Sequence, residues 1–334
     1  MPEQRALQDQ IMAVLKRGMT PLSDDDFNSL ALRVFNFQFE HNPPYRKYCE
    51  RRLADRRDVS RWQDIPAVPT AAFKEAALVA GDVASAEAVF RTSGTTRGTE
   101  KRGAHYVLNL ELYRASLLPP FREYVLSNVE QVPMLALVPA AHESPDSSLS
   151  YMISAVIEQF STADSTFAIG ADGIHPEKIV DWLDNQMARG QSVCVLGTSL
   201  AFVHLFERLQ GMGRTFVLPR GSRVMDTGGF KGSERTITAA ALRALYTTHL
   251  GVPAENVINE YGMTEMLSQF YDAQEVKRGP PWVRTIVVDP ETLRELPHGE
   301  TGLLRHVDLA NLFSVSAIQT EDVGRMANDG FELL

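Results

Sequence analysis

Apolar residues recur at helical spacing over the first part of the chain. Across Gln4–Lys16, Leu7, Ile11, Val14 and Leu15 fall on one face of an amphipathic helix. Ser23-Asp24-Asp25-Asp26 predicts an N-cap and first-turn acids for a second helix over Phe27–Glu40. Asn42-Pro43-Pro44 breaks the pattern, and Tyr45–Leu53 predicts a third helix with Arg46, Lys47, Arg51 and Arg52 on a wet face. The extended Ile65-Pro66-Ala67-Val68-Pro69 closes this region, so residues 1–80 read as a helical N-terminal part.

From residue 81 onward the rhythm changes. After a β-like run at Ala86–Phe90, apolar runs of strand length alternate with helical patterns. They are Pro133–Pro139, Ser148–Phe160, Phe167–Ile169, Pro176–Met187, Ser192–Gly197, Leu200–Leu209, Ser222–Met225, Glu234–Leu250 and Asn256–Asn259. This alternation predicts an α/β core over residues 81–334, with mostly parallel sheets covered by helices on both faces. Ligands of such sheets bind at the carboxyl ends of the strands, so the loops that follow strands carry the candidate chemistry.

Four loops stand out. Arg91-Thr92-Ser93-Gly94-Thr95-Thr96-Arg97-Gly98-Thr99-Glu100-Lys101 combines hydroxyls, glycines and cations, which is what a polyphosphate needs. It is not the G-x-x-x-x-G-K-[ST] nucleotide loop, because three residues separate Gly94 from Gly98 and no Lys follows directly. A solvated Ser/Thr/Gly loop has the same composition. Asp226-Thr227-Gly228-Gly229-Phe230-Lys231 offers paired glycines for a flat ligand or a tight turn. Glu260-Tyr261-Gly262-Met263-Thr264-Glu265 joins an aromatic, a hydroxyl and two carboxylates, and Thr320-Glu321-Asp322-Val323-Gly324-Arg325 sets two acids before a glycine.

Composition narrows the classes. At 334 residues the chain exceeds what one hydrophobic core usually supports, so a large domain with a subsidiary part is expected. A formal charge of −9 argues against nucleic acid or an anionic membrane surface as the main partner. Two cysteines, Cys49 and Cys194, are too few for a disulfide framework, and a reducing cytoplasm fits them. Met1–Thr20 has no unbroken apolar h-region, and no apolar run reaches the roughly 18 residues of a membrane span. The histidines show no zinc-ligand spacing, so no structural zinc is expected.

Thr92-Ser93-Gly94-Thr95-Thr96, Tyr261-Gly262-Met263-Thr264-Glu265, and Glu321-Asp322-Val323-Gly324-Arg325 with Asp329-Gly330-Phe331 resemble the signatures of the acyl-adenylate-forming superfamily in identity, order and spacing. Asn42-Pro43-Pro44-Tyr45-Arg46, Lys101-Arg102-Gly103 and Ser147-Ser148-Leu149 look most like its acyl-protein synthetase branch, known from bacterial luminescence. The resemblance covers nearly the whole chain. It implies ATP-dependent activation of a carboxylic acid, a fatty acid in this branch, to acyl-AMP, then transfer of the acyl group to a protein thiol. Coenzyme A is the alternative acceptor, a reductase is an implied partner, and a nucleotide- and acyl-binding module without turnover is the reading from another class.

The resemblance also implies roles. Thr92, Ser93, Gly94, Thr95, Thr96 and Gly98 would hold the nucleotide phosphates, with Lys101 assisting. Gly228, Gly229 and Tyr261 would sandwich adenine, Asp322 would bind the ribose hydroxyls, Thr264 the α-phosphate, and Glu265 Mg²⁺. Met263, with Leu196, Leu200, Phe202 and Val203, would make an apolar acyl site, and no acid or base obviously waits for an amino acid's ammonium. His142 lines that site or has no role; Thr198 and Ser199 line it or cap a helix. Arg97 stands where the superfamily has Gly, and Lys101 lies one residue late. Phe331-Glu332-Leu333-Leu334 falls where the hinge to a small C-terminal lid would begin, so a lid absent or truncated is expected. Neither cysteine lies where this branch carries its acyl-accepting thiol.

Overall fold

The apolar runs of the central region become strands buried on both sides. A computed structural model of the chain describes residues 2–92, 102–127, 129–170, 173–228, 237–272 and 275–334. Strands Met134–Leu137, Thr166–Phe167, Cys194–Thr198, Arg223–Thr227 and Val257–Tyr261 form a parallel sheet, with Phe270–Asp272 antiparallel at one edge. Alternate side chains divide between two cores. Leu135, Val195, Val224 and Val257 pack against helices Pro176–Ala188, Ser199–Gly211 and Ala239–Leu250. Ala136, Cys194, Leu196, Met225 and Ile258 face the other way, toward helices Leu110–Phe121 and Ser148–Phe160.

The second sheet departs from the parallel expectation. Strands Val276–Lys277, Gly330–Leu333, Ala317–Ala327, Thr301–Asp308 and Val283–Val288 pair antiparallel in that order, and Val68–Pro69 joins Ala317–Ala327 in parallel. No crossover helices separate these strands, and without such a crossover antiparallel pairing is the accessible geometry. Thr320–Arg325, read from sequence as a loop, therefore lies inside the strand Ala317–Ala327.

The N-terminal helices form at Pro2–Lys16, Asp24–His41 and Pro43–Glu50, the third starting and ending earlier than the predicted Tyr45–Leu53. Ser23 caps the second by accepting from the Asp26 amide. Asn42, which looked like a breaker, is the N-cap of the third helix and accepts from the Tyr45 amide at 3.2 Å, with Pro43 at the first turn where no donor is needed. These helices share one hydrophobic core with residues from both sheets, from Leu7 through Phe331. Among the described residues, no helix is long and apolar enough to cross a membrane.

Candidate active site

All the parallel strands named above run in one direction, so their carboxyl ends meet along one edge, and a cleft of about 720 Å³ opens there. One wall comes from the antiparallel hairpin Ala88–Arg91 and Ala104–Val107. Thr92 and Gly103 continue its register: the Thr92 amide donates to Gly103 O at 3.0 Å and the Gly103 amide to Thr92 Oγ1 at 2.9 Å. Arg102 donates to Thr92 O at 2.7 Å and pairs with Asp146 at 2.7 Å, tying the hairpin to the turn before helix Ser148–Phe160. Arg91, Thr92, Arg102, Asp146 and Ser147 all line the cleft. Ser93, Gly94, Thr95, Thr96, Gly98 and Lys101 lie outside the described residues, as does Gly229.

The opposite wall holds Thr198, Thr227, Gly228, Gly262, Met263, Thr264 and Glu265. Thr198 lines the cleft and also caps helix Ser199–Gly211, accepting from the Ala201 amide at 3.1 Å, so its two sequence readings describe one residue. Ser199 is buried beneath it and donates to Asp226 Oδ2 at 3.0 Å. Tyr246 OH at 2.8 Å and Asn259 Nδ2 at 2.9 Å also donate to Asp226. Burial raises the Asp226 carboxyl above its ordinary range while these donors pull it down. The network fastens three neighbouring elements just below Thr227 and Gly228. Gly228 has φ +74, with no atom of the described residues within 4 Å of where a Cβ would sit, a backbone state that glycine adopts at no steric cost.

The segment bearing Thr264 and Glu265 is pinned from below. His105 is buried, and burial lowers its pKa to about 4, so the ring is neutral. Its Nδ1 lies 2.7 Å from Thr264 O and therefore carries the proton that it donates there. Asn311 Nδ2 donates to Glu265 O at 2.8 Å and to Val315 O at 2.9 Å. With their carbonyls held, the side chains of Thr264 and Glu265 are left to the cleft. Glu265 is 6% exposed, and burial pushes its carboxyl up to about 7, against the Glu265 amide and Lys74 and with Asp322 adding to the rise. A buried carboxylate of this kind suits a divalent cation.

Tyr261 and Asp322 stand beside the cleft and do not line it. Strand alternation sends the Tyr261 ring to the face opposite Glu260 and Gly262, among Phe270, His306 and Phe331. Its hydroxyl donates to Asp322 Oδ2 at 2.9 Å, which couples the two residues expected to contact the nucleoside. His142 is exposed in the turn after Met134–Leu137, away from the cleft wall, because Glu143 and Ser144 fold back to Ala140 O and turn it to solvent. Among the cleft residues that escaped the sequence reading are Gln269, which no motif contains, and Glu260, quoted in a motif without a role. The strand Val257–Tyr261 runs past the predicted Asn256–Asn259 and takes in Glu260, a buried acid in a position that normally demands a partner.

The model of the acyl-protein synthetase LuxE family matches residues 21–332. The chain belongs to the LuxE acyl-protein synthetase family. Two relatives of this LuxE member are long-chain-fatty-acid–luciferin-component ligases. That of Vibrio harveyi is 26% identical over 300 residues, covering 87% of this chain and 76% of the relative. That of Aliivibrio fischeri is 26% identical over 302 residues, covering 89% and 78%. In fold the LuxE chain is similar to an open 2-hydroxyisobutyryl-CoA ligase crystallised with 2-HIB-AMP and CoA. The TM-score is 0.70 at 16% identity over 95% of this chain and 75% of that one. ATP-bound MatB from Rhodopseudomonas palustris gives 0.52 at 18% identity over 77% and 49%. The architecture is therefore that of the acyl-adenylate-forming ligases.

Proposed function

We propose that this chain is an ATP-dependent ligase that activates a long-chain fatty acid in the cytoplasm. The substrate carboxylate attacks the α-phosphorus of ATP, the bond to the bridging oxygen breaks, and pyrophosphate leaves as acyl-AMP forms. The acyl carbon then passes to a thiol, and AMP leaves. The supporting observation is the convergence of Thr92, Thr198, Gly228, Met263, Thr264 and Glu265 on one cleft at the strand ends of a LuxE-family chain.

In this reading Thr92 and the segment through Gly98, with Lys101, hold the phosphates, and Gly228 and Gly229 hold the adenine, while Tyr261, expected from sequence to sandwich it, acts from beside the cleft through its hydroxyl on Asp322. Asp322 takes the ribose hydroxyls, and the Thr264 hydroxyl donates to the α-phosphate. Glu265 would hold Mg²⁺, which when bound neutralises phosphate charge. Positioning and charge neutralisation suffice, with no protein nucleophile in the first step. The acceptor is a thiol other than Cys49 and Cys194, since both are fully buried and burial pushes each thiol up to about 12. Coenzyme A and a protein cysteine other than these two are the candidates, with a reductase as the implied partner.

Pyrophosphate–ATP exchange driven by a panel of fatty acids tests the reading. Exchange with ATP and Mg²⁺, weakened in Glu265→Gln and absent with GTP, is expected. MgATP binding without exchange for any acid would leave only a binding module. Hydroxylamine-sensitive label on the chain that disappears in Cys194→Ala would overturn the external thiol.

A further inference from the structure

The cleft has a polar floor that an unsubstituted hydrocarbon chain leaves without partners. Leu149, Met152, Leu200 and Met263 make its apolar side. Glu260 and Gln269, each 4% exposed, line it as well. The Thr227 hydroxyl donates to Glu260 Oε2, and among the described residues no hydrogen bond reaches Oε1. Gln269 donates through Nε2 to Leu267 O at 3.3 Å, while its buried Oε1 has no partner among the described residues. The two side chains are neighbours across Gly262, where an added Cβ would collide with Glu260 Oε1 and lie 3.4 Å from Gln269 Cγ.

Buried acceptors in folded proteins almost always have donors, so the buried, unpartnered Gln269 Oε1, on a residue that lines the cleft beside the Glu260 carboxylate, calls for a donor from the ligand. The nearby cation does not supply it: Lys277 is paired with Asp272 at 2.6 Å and donates to Asn259 O at 2.9 Å. We propose that the acid activated here carries a hydroxyl on its hydrocarbon chain, which donates to Gln269 and Glu260 at the polar floor while the methylenes lie along Leu149, Met152, Leu200 and Met263. This rests on the reading that the cleft takes the acyl group. Burial pushes the Glu260 carboxyl up to about 7, opposed by Thr227 and Lys277, so both its forms are present near neutrality. A hydroxyl, which donates and accepts, suits both forms, whereas an ammonium suits only the ionised one.

Calorimetric titration of the full chain with matched acids tests this: a long-chain acid, the same acid hydroxylated at successive positions, and amino-substituted counterparts. Pyrophosphate exchange is followed in parallel. One hydroxy acid should bind roughly tenfold or more tighter than its parent, as expected where a site is built to hydrogen-bond a substrate hydroxyl. Gln269→Met, close in volume, and Glu260→Gln, which keeps an acceptor for Thr227, should each shrink that ratio toward one. A parent acid that binds as tightly as every hydroxylated form overturns the proposal, as does tightest binding by an amino acid or a ratio that neither variant moves. If the hydroxy acid is preferred in binding and no acid supports exchange, the hydroxyl site stands and the adenylation reading falls.

Discussion

Glu265 illustrates how a single buried group ties stability to ligand chemistry. Its folded-state carboxyl lies near 7 against an ordinary 4.5. A raised acid contributes its full stability below the unfolded value, and that contribution is lost as pH rises through about 7. Glu265→Gln, neutral throughout and similar in shape, should therefore melt above wild type at about pH 8. The difference should be at most on the order of 3 kcal/mol, closing as pH falls toward about 4. MgATP should narrow the gap by stabilising wild type more. Thermal melts across this range decide it, and parallel wild-type and variant curves would remove the case for a strained acid there. Gly262 makes a second residue-level case. Its neighbour Glu260 Oε1 leaves no room for a methyl, so Gly262→Ala should destabilise by about 1–3 kcal/mol in denaturant titration and weaken acid binding.

Elements rather than residues explain which features were legible beforehand. Helix spans emerged from sequence because apolar spacing, Ser23 and the later N-caps are local signals. The parallel strands emerged as apolar runs because both of their faces are buried. The antiparallel strands were not legible. Val283–Val288, Thr301–Asp308 and Ala317–Ala327 mix charged and apolar residues, and their pairing joins residues distant in sequence. The motif residues were legible as types, but their facing was not. Whether Tyr261 or Glu260 looks into the cleft depends on strand register, and one residue's difference sends the side chain to the opposite face. Pinning of the Thr264–Glu265 segment was also hidden, since His105 and Asn311 come from other elements. Asn311→Leu would leave Glu265 O and Val315 O buried without this donor, at about 1–3 kcal/mol each. The fall in exchange rate should exceed the fall in stability at permissive temperature, because the segment carrying Glu265 is then loosened. Equal exchange rates in a folded variant would deny Asn311 that positioning role.

At the scale of the whole molecule, the N-terminal helices and the second sheet form one unit. Gln38 is fully buried and donates to Asn311 O at 2.9 Å and Leu312 O at 3.0 Å. It also accepts from the Ser316 amide at 2.9 Å and hydroxyl at 3.0 Å. Asn42 donates to Ser314 O at 3.1 Å alongside it. Cys49 sits in the same core, and Cys194 lies within the parallel sheet, so a thiol reagent should modify neither in the native protein and both after denaturation. Fast native labelling of either would contradict their burial. The Gln38 clasp also sets a timetable for synthesis. Its partners lie 273 to 278 residues downstream, so the helix that carries Gln38 leaves the ribosome long before it can be fastened. At the usual pace of about 5–20 residues per second, that interval is on the order of tens of seconds. Nascent chains arrested before residue 311 should therefore keep Asp24–His41 open to protease, and release of the segment through Ser316 should close it.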